Sequence, residues 1–312
     1  MSLMNSRKGI SLMACAIVLT FGSIAVLGLD PDNDHGKQEP KGAGIHWAKG
    51  QAPGAGVGRG GKSPNLIAHG GPIMTEANVT AIFWGTSWKT YTGDKMSGLD
   101  MFYTEMSGSN YAKSSSEYAD PSGVKVGNTI SYRGHFVDDS LATGGNQTGP
   151  ILAEVCKVLQ GTVIPANGYY PVYTDLKRGN AGYCAWHSYG TCGGVVVQFA
   201  FFFNLDGDAG CNPNDSSGLH SQGLAALANV SGHELSEART DPRLNAWYDS
   251  SGDENSDKCA WTFGHTLLTF KEGGSKWKVQ GNWSNDAYNT QNVYAYSNSS
   301  GQKGCSDGDS IP

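Results

Sequence analysis

Three residues on one stretch of chain have the types and spacing that suit metal chemistry: His233, Glu234 and Glu237, in NVSGHELSEARTDP. On a helix, positions i and i+4 lie one above the other. His233 and Glu237 can then chelate one cation, while Glu234, one step round, can hold and deprotonate a water. This is the logic of the His-Glu-x-x-His zinc hydrolases, with a carboxylate in place of the second histidine. Such a site needs a third protein ligand, and DSSGDENSDKCAW offers Glu254, 17 residues beyond Glu237, and Asp257. Glu254 is the expected third ligand and Asp257 the carboxylate that orients a ligand, or the two exchange roles. Cys259, beside them, is expected to pin the segment through a disulfide. One imidazole with two carboxylates is a harder donor set than most catalytic zinc sites, so the expected cofactor is a divalent metal, zinc first, with Mn²⁺ or Ca²⁺ also suited. The competing explanation is a surface helix whose acids are merely solvated.

His187, in GYCAWHSYG, is the second candidate for a catalytic role, able to stabilise an oxyanion or donate a proton if its strand faces the helix. Against this stands an ordinary hydrogen-bonded strand histidine. His69, His135, His220 and His265 have no spacing that recruits them, and Ser231 lacks the strand-turn setting of a hydrolase nucleophile.

The elements that must position these residues are legible as patterns. Leu219 to Thr240 is the longest helix candidate and is stopped by Asp241-Pro242. VTAIFWG, TISYRGHFV, VYTDL, GYCAWHSYG and GGVVVQFAFFFNL read as strands, the last so apolar that it should be covered on both faces. Met96 to Met106 and Pro150 to Leu159 carry helical spacing, so the expected fold is α+β, a mixed sheet beside a long metal-binding helix. Trp247 and Tyr248 are expected in the core under the returning loop.

Residues 1–28, a short basic start and an apolar run, read as a secretory signal, leaving no stable membrane span after cleavage, although an uncleaved anchor would use the same run. Residues 29–63, rich in Gly, Pro, Lys and Gln, read as a flexible leader or pro-segment, and 64–312 as a single domain. The formal charge of −6 becomes −8 once Arg7 and Lys8 leave with the signal, which argues against nucleic acid as a partner. Six cysteines remain outside the signal, so disulfides are expected, with Cys184 to Cys192 as one local bridge.

Four blocks, HGGPIMTEANVTAIFWGTSW, GYCAWHSYG, NVSGHELSEARTDPRLNAWYD and ENSDKCAWTFG, make the chain resemble the phosphate-induced protein 1, or EXORDIUM-like, family from about His69 to Trp283. The family's His-Glu-x-x-Glu helix, its Asn-Ala-Trp-Tyr turn and its Glu-x-x-Asp-x-Cys segment fall on His233, Glu234, Glu237, Asn245 to Tyr248, Glu254, Asp257 and Cys259. The resemblance implies an extracellular protein tied to growth or wall processes, with secreted bacterial relatives. The shorter loop before Glu254 and the glycine-rich leader depart from the family pattern.

Together these readings predict a secreted metal-dependent hydrolase, a zincin-like peptidase acting on protein or peptide, with His233, Glu237, Glu254 and Asp257 at the metal and Glu234 and His187 catalytic. The alternative is a non-catalytic extracellular or cell-wall protein, binding a wall component, in which the same residues hold a structural ion or a hydrogen-bond network.

Overall fold

The computed structural model describes residues 43–53, 65–290, 295–296 and 303–309. Residues 1–28, read as a signal, and most of the segment read as a leader lie outside the described residues. Six strands, β1 (Gly44–Trp47), β2 (Ala77–Trp84), β3 (Ile130–Asp138), β4 (Gly168–Lys177), β5 (Tyr183–Cys192) and β6 (Val195–Asn204), form one mixed sheet in the order β1-β5-β6-β4-β2-β3. Strands β3, β2, β4 and β6 are parallel neighbours, whereas β5 runs antiparallel to β6, and β1 antiparallel to β5. The apolar run of β6 is covered on both faces, with Val197 to Phe203 buried.

Three helices flank the sheet: α1 (Lys95–Met106), α2 (Thr148–Val158) and α3 (Gln222–Thr240). The first and third pack on each other and on the sheet, and the third touches β1, β4, β5 and β6. Their crossing is close because Gly98 carries no side chain: a Cβ there would stand 2.2 Å from Leu224 Cδ2. The molecule is therefore α+β with a mixed sheet. Among the described residues no helix is long and apolar enough to cross a membrane.

Helix α3 begins at Gln222 rather than Leu219, because Ser221 caps it: its Oγ accepts from Leu224 N at 3.1 Å and is itself held by Asp94. It ends where Asp241 leaves helical geometry ahead of Pro242, and Asp241 Oδ1 then accepts from Asn245 N and Ala246 N at 2.6 and 2.7 Å. Every residue from Gly223 to Thr240 is buried, including Ser231, His233, Glu234, Ser236, Glu237 and Arg239. The solvated surface helix is thereby excluded. Polar residues on the helix are matched locally where they can be: Ser231 Oγ bonds the Tyr173 hydroxyl at 2.7 Å, which bonds that of Tyr103 at 2.8 Å. Asn229, whose Asn-Val-Ser triplet has the form of a glycan acceptor, is buried, and its Oδ1 accepts from Gln280 N at 2.8 Å. That position is packed interior.

Three expectations are corrected. Gly44–Trp47, inside the segment read as a flexible leader, is an edge strand paired with Tyr183 to His187. Cys184 pairs with Cys211 and Cys192 with Cys156, while Cys259 pairs with Cys305. Cys184 and Cys192 lie at opposite ends of β5, about 26 Å apart at ~3.3 Å per residue, far beyond disulfide reach. Trp247 and Tyr248 are half-buried, not core, and pair with Ile67–Ala68. The three disulfides accord with an oxidising, extracellular setting.

Candidate metal centre

The side chains singled out from the sequence converge at one end of α3. His233 and Glu237 are one turn apart, as their spacing required, with His233 Nε2 3.0 Å from Glu237 Oε1. The approach is close without hydrogen-bond alignment: His233 Nε2 has no hydrogen-bond partner in the protein. The segment after the helix returns through a 3-10 turn, Asp257–Cys259, anchored by the Cys259–Cys305 bridge, and places Asp257 Oδ1 3.5 Å from His233 Nε2. Asp257 N donates to Glu237 Oε1 at 2.9 Å, and Glu254 N donates to Asp257 Oδ2 at 3.2 Å. The turn therefore fixes both carboxylates. Asp257, not Glu254, completes a set with His233 and Glu237.

Glu254 stands with the other histidine. On β5, successive side chains alternate across the sheet: Trp186 packs on Phe199 and Phe201, while His187 faces α3. Its Nε2 lies 2.9 Å from Glu254 Oε2 and 3.6 Å from Glu237 Oε2. Two triads thus exist, His233 with Glu237 and Asp257, and His187 with Glu237 and Glu254, the donor atoms of each lying within 4.8 Å of one another.

Glu234 is fully buried next to these groups, and neither of its oxygens has a hydrogen-bond partner. Glu237 Oε2, Glu254 Oε1, Asp257 Oδ1 and Asp241 Oδ2 are also without one. Buried polar atoms are normally paired, so so many unpaired acceptors in one place call for positive charge between them. Burial foremost, and Asp257 next, push the Glu237 carboxyl up to about 7 despite His233. Burial also drives Glu234 and Glu254 well above the usual carboxylate range, reinforced by their acidic neighbours. For His233 burial opposes the charge, yet Glu237, Asp257 and Glu234 outweigh it and raise the ring to about 10. His187 moves the other way, to about 3, through burial and the nearby His233, so it is a neutral imidazole. Without a cation these carboxylates hold protons; with a dication among them they would ionise.

Residues with no sequence signal complete the centre. The ring of His46, on β1, lies 3.9 Å from that of His233 and 4.8 Å from that of Trp261, and is fully buried. Gln280 sets the His233 ring, its Nε2 2.9 Å from His233 Nδ1 and 3.0 Å from Ser256 O. Neither residue belongs to a helical or strand pattern that points at the site. A cavity of about 370 Å³ opens beside the cluster, lined by Ala43, Gly44, Ile45 and Trp47 of the edge strand and by Asp241, Leu244, Tyr248, Glu254 and Asp257.

No family model, curated protein or solved structure matches the chain. The arrangement of donors must therefore carry the functional reading.

Proposed function

We propose that this chain is a secreted metal-dependent hydrolase of the zincin-like peptidase type, a relative of the EXORDIUM-like proteins. Support comes above all from one observation: unpartnered, fully buried carboxylate and imidazole atoms gather around Glu237 beside an open cavity. His233 Nε2, Glu237 Oε1 and Asp257 Oδ1 hold the cation, and one imidazole with two carboxylates suits Zn²⁺ or Mn²⁺. Bound there, a divalent cation supplies Lewis acidity and lowers the pKa of water. Glu234 takes the proton of the attacking water, and its burial, which favours the protonated form, gives the base the affinity for that proton. His187, neutral and next to Glu254, donates or accepts a hydrogen bond at the reacting group. An extended peptide suits the cavity because one wall is the sheet's edge strand, along which another chain can add.

A second reading, a closed structural ion in a non-catalytic extracellular protein, has support of its own. His233 has no exposure and is covered by His46, and a structural site is closed by protein groups.

Elemental analysis of the purified mature protein, with cleavage of a peptide library by the parent and by Glu234→Gln, separates the two. The hydrolase reading expects retained metal in both and turnover lowered by about 10²–10⁴-fold in the variant. Metal without Glu234-dependent turnover selects the structural ion. Absence of metal, with zinc binding the parent no more tightly than His233→Ala, overturns both.

A further inference from the structure

We propose that the centre holds two divalent cations bridged by Glu237, the second bound by His187 Nε2, Glu237 Oε2 and Glu254. The proposal rests on the metal reading above and extends it to a position that the helix motif does not predict.

The two oxygens of Glu237 face different histidines, Oε1 at 3.0 Å from His233 Nε2 and Oε2 at 3.6 Å from His187 Nε2. Each histidine has a further carboxylate of its own, Asp257 at 3.5 Å for His233 and Glu254 at 2.9 Å for His187. Two donors bound at about 2.1 Å to a tetrahedral centre stand roughly 3.4 Å apart, and the four separations run from 2.9 to 3.6 Å, the shortest being a His187–Glu254 hydrogen bond that a cation would replace. The triads meet only in Glu237, whose carboxylate spans between them. Bridging carboxylates are how two-metal hydrolytic sites hold cations about 3.5–4 Å apart.

The unpartnered oxygens point the same way. Among the described residues the only ion-pair partners of Glu237, Glu254 and Asp257 are His187 and His233. Glu237 Oε2 and Glu254 Oε1, which one cation at His233 leaves unserved, are buried and unpartnered.

The edge strand brings no side chain against the second pair of donors. Gly44 faces them, and a Cβ there would stand 2.2 Å from His187 Nε2 and 2.3 Å from Glu254 Oε2. Any side chain at position 44 would collide with both. Glu254, beside the second position, and Asp257, beside the first, both line the cavity, so a substrate there meets both cations. The covered His233 and the accessible cavity then belong to one centre.

The full mature chain, loaded with Mn²⁺ and freed of excess by dialysis, tests this by elemental analysis and electron paramagnetic resonance. The parent should retain two Mn²⁺ per chain and show an exchange-coupled spectrum. His187→Ala and, independently, Gly44→Ala should retain one, with the six-line signal of an isolated ion. Thermal melts of each variant establish that it is folded, and the parent's stoichiometry and coupling stand without them. One Mn²⁺ in the parent, unchanged by His187→Ala but lost in His233→Ala, overturns the second cation and leaves the single-metal reading intact. Two uncoupled ions in the parent also overturn it, since Glu237 would not bridge them. No retained Mn²⁺ in the parent overturns the second cation, and the zinc comparison between the parent and His233→Ala then decides the single-metal reading.

Discussion

Removing metal should make this protein's stability fall as pH rises. The Glu237 carboxyl is pushed from an ordinary 4.5 to about 7, burial being the main cause. A raised folded-state pKa means that the folded chain holds a proton the unfolded chain releases. The stability this contributes is fully present below pH 4.5 and is lost as pH rises through about 7. At ~1.36 kcal/mol per unit, that interval amounts to about 3 kcal/mol. His233, raised from 6.5 to about 10, adds a loss of the same sign above 6.5. For a domain of this size 1 kcal/mol moves Tm by about 2–4 °C, so Glu237 alone corresponds to roughly 6–12 °C. A bound dication replaces these protons, and the loaded protein should not show the loss. Calorimetry of chelated and metal-loaded samples from about pH 5 to about pH 8 reads the effect as a difference in Tm, which cancels groups outside the site. The gap should widen by roughly 6–12 °C over that range, and Glu237→Gln should flatten it. A gap independent of pH, or a slope unchanged in Glu237→Gln, would refute the reasoning.

Two further outcomes are expected. Replacing Cys259 and Cys305 together by alanine should cost about 2–5 kcal/mol and, because that bridge anchors the turn presenting Asp257, should speed metal loss to a chelator. Lost stability with unchanged metal retention would show that the bridge does not position the ligand. His46→Ala removes the ring covering His233 and should accelerate chelator stripping about tenfold or more, the rate equivalent of ~1.4 kcal/mol, while leaving the metal stoichiometry intact. Stripping rates equal to the parent's would mean that His46 does not shield the site.

What the sequence determined by itself was whatever local periodicity encodes. The one-turn spacing of His233 and Glu237, the helix that carries them, its stop at Asp241-Pro242 and the apolar β6 all follow from intervals of a few residues. So did the nomination of Glu254 and Asp257, by type and by spacing after Glu237, and of His187, by its place on the GYCAWHSYG strand. Partnership among these groups was decided only by the tertiary path. The 3-10 turn carries Asp257 to His233 and leaves Glu254 to His187, a difference of three residues in sequence that no pattern resolves. The cysteines behaved likewise, because Cys184 and Cys192, close in sequence, are held apart by the strand that joins them. The contribution of Gly44 and His46 was hidden most completely. Their segment lacks the apolar residues to fold alone, and it gains structure from pairing with β5 and from the stack on His233. Short-range intervals are read from the chain, whereas contacts whose partners lie far apart in sequence exist only once the sheet and α3 bring them together.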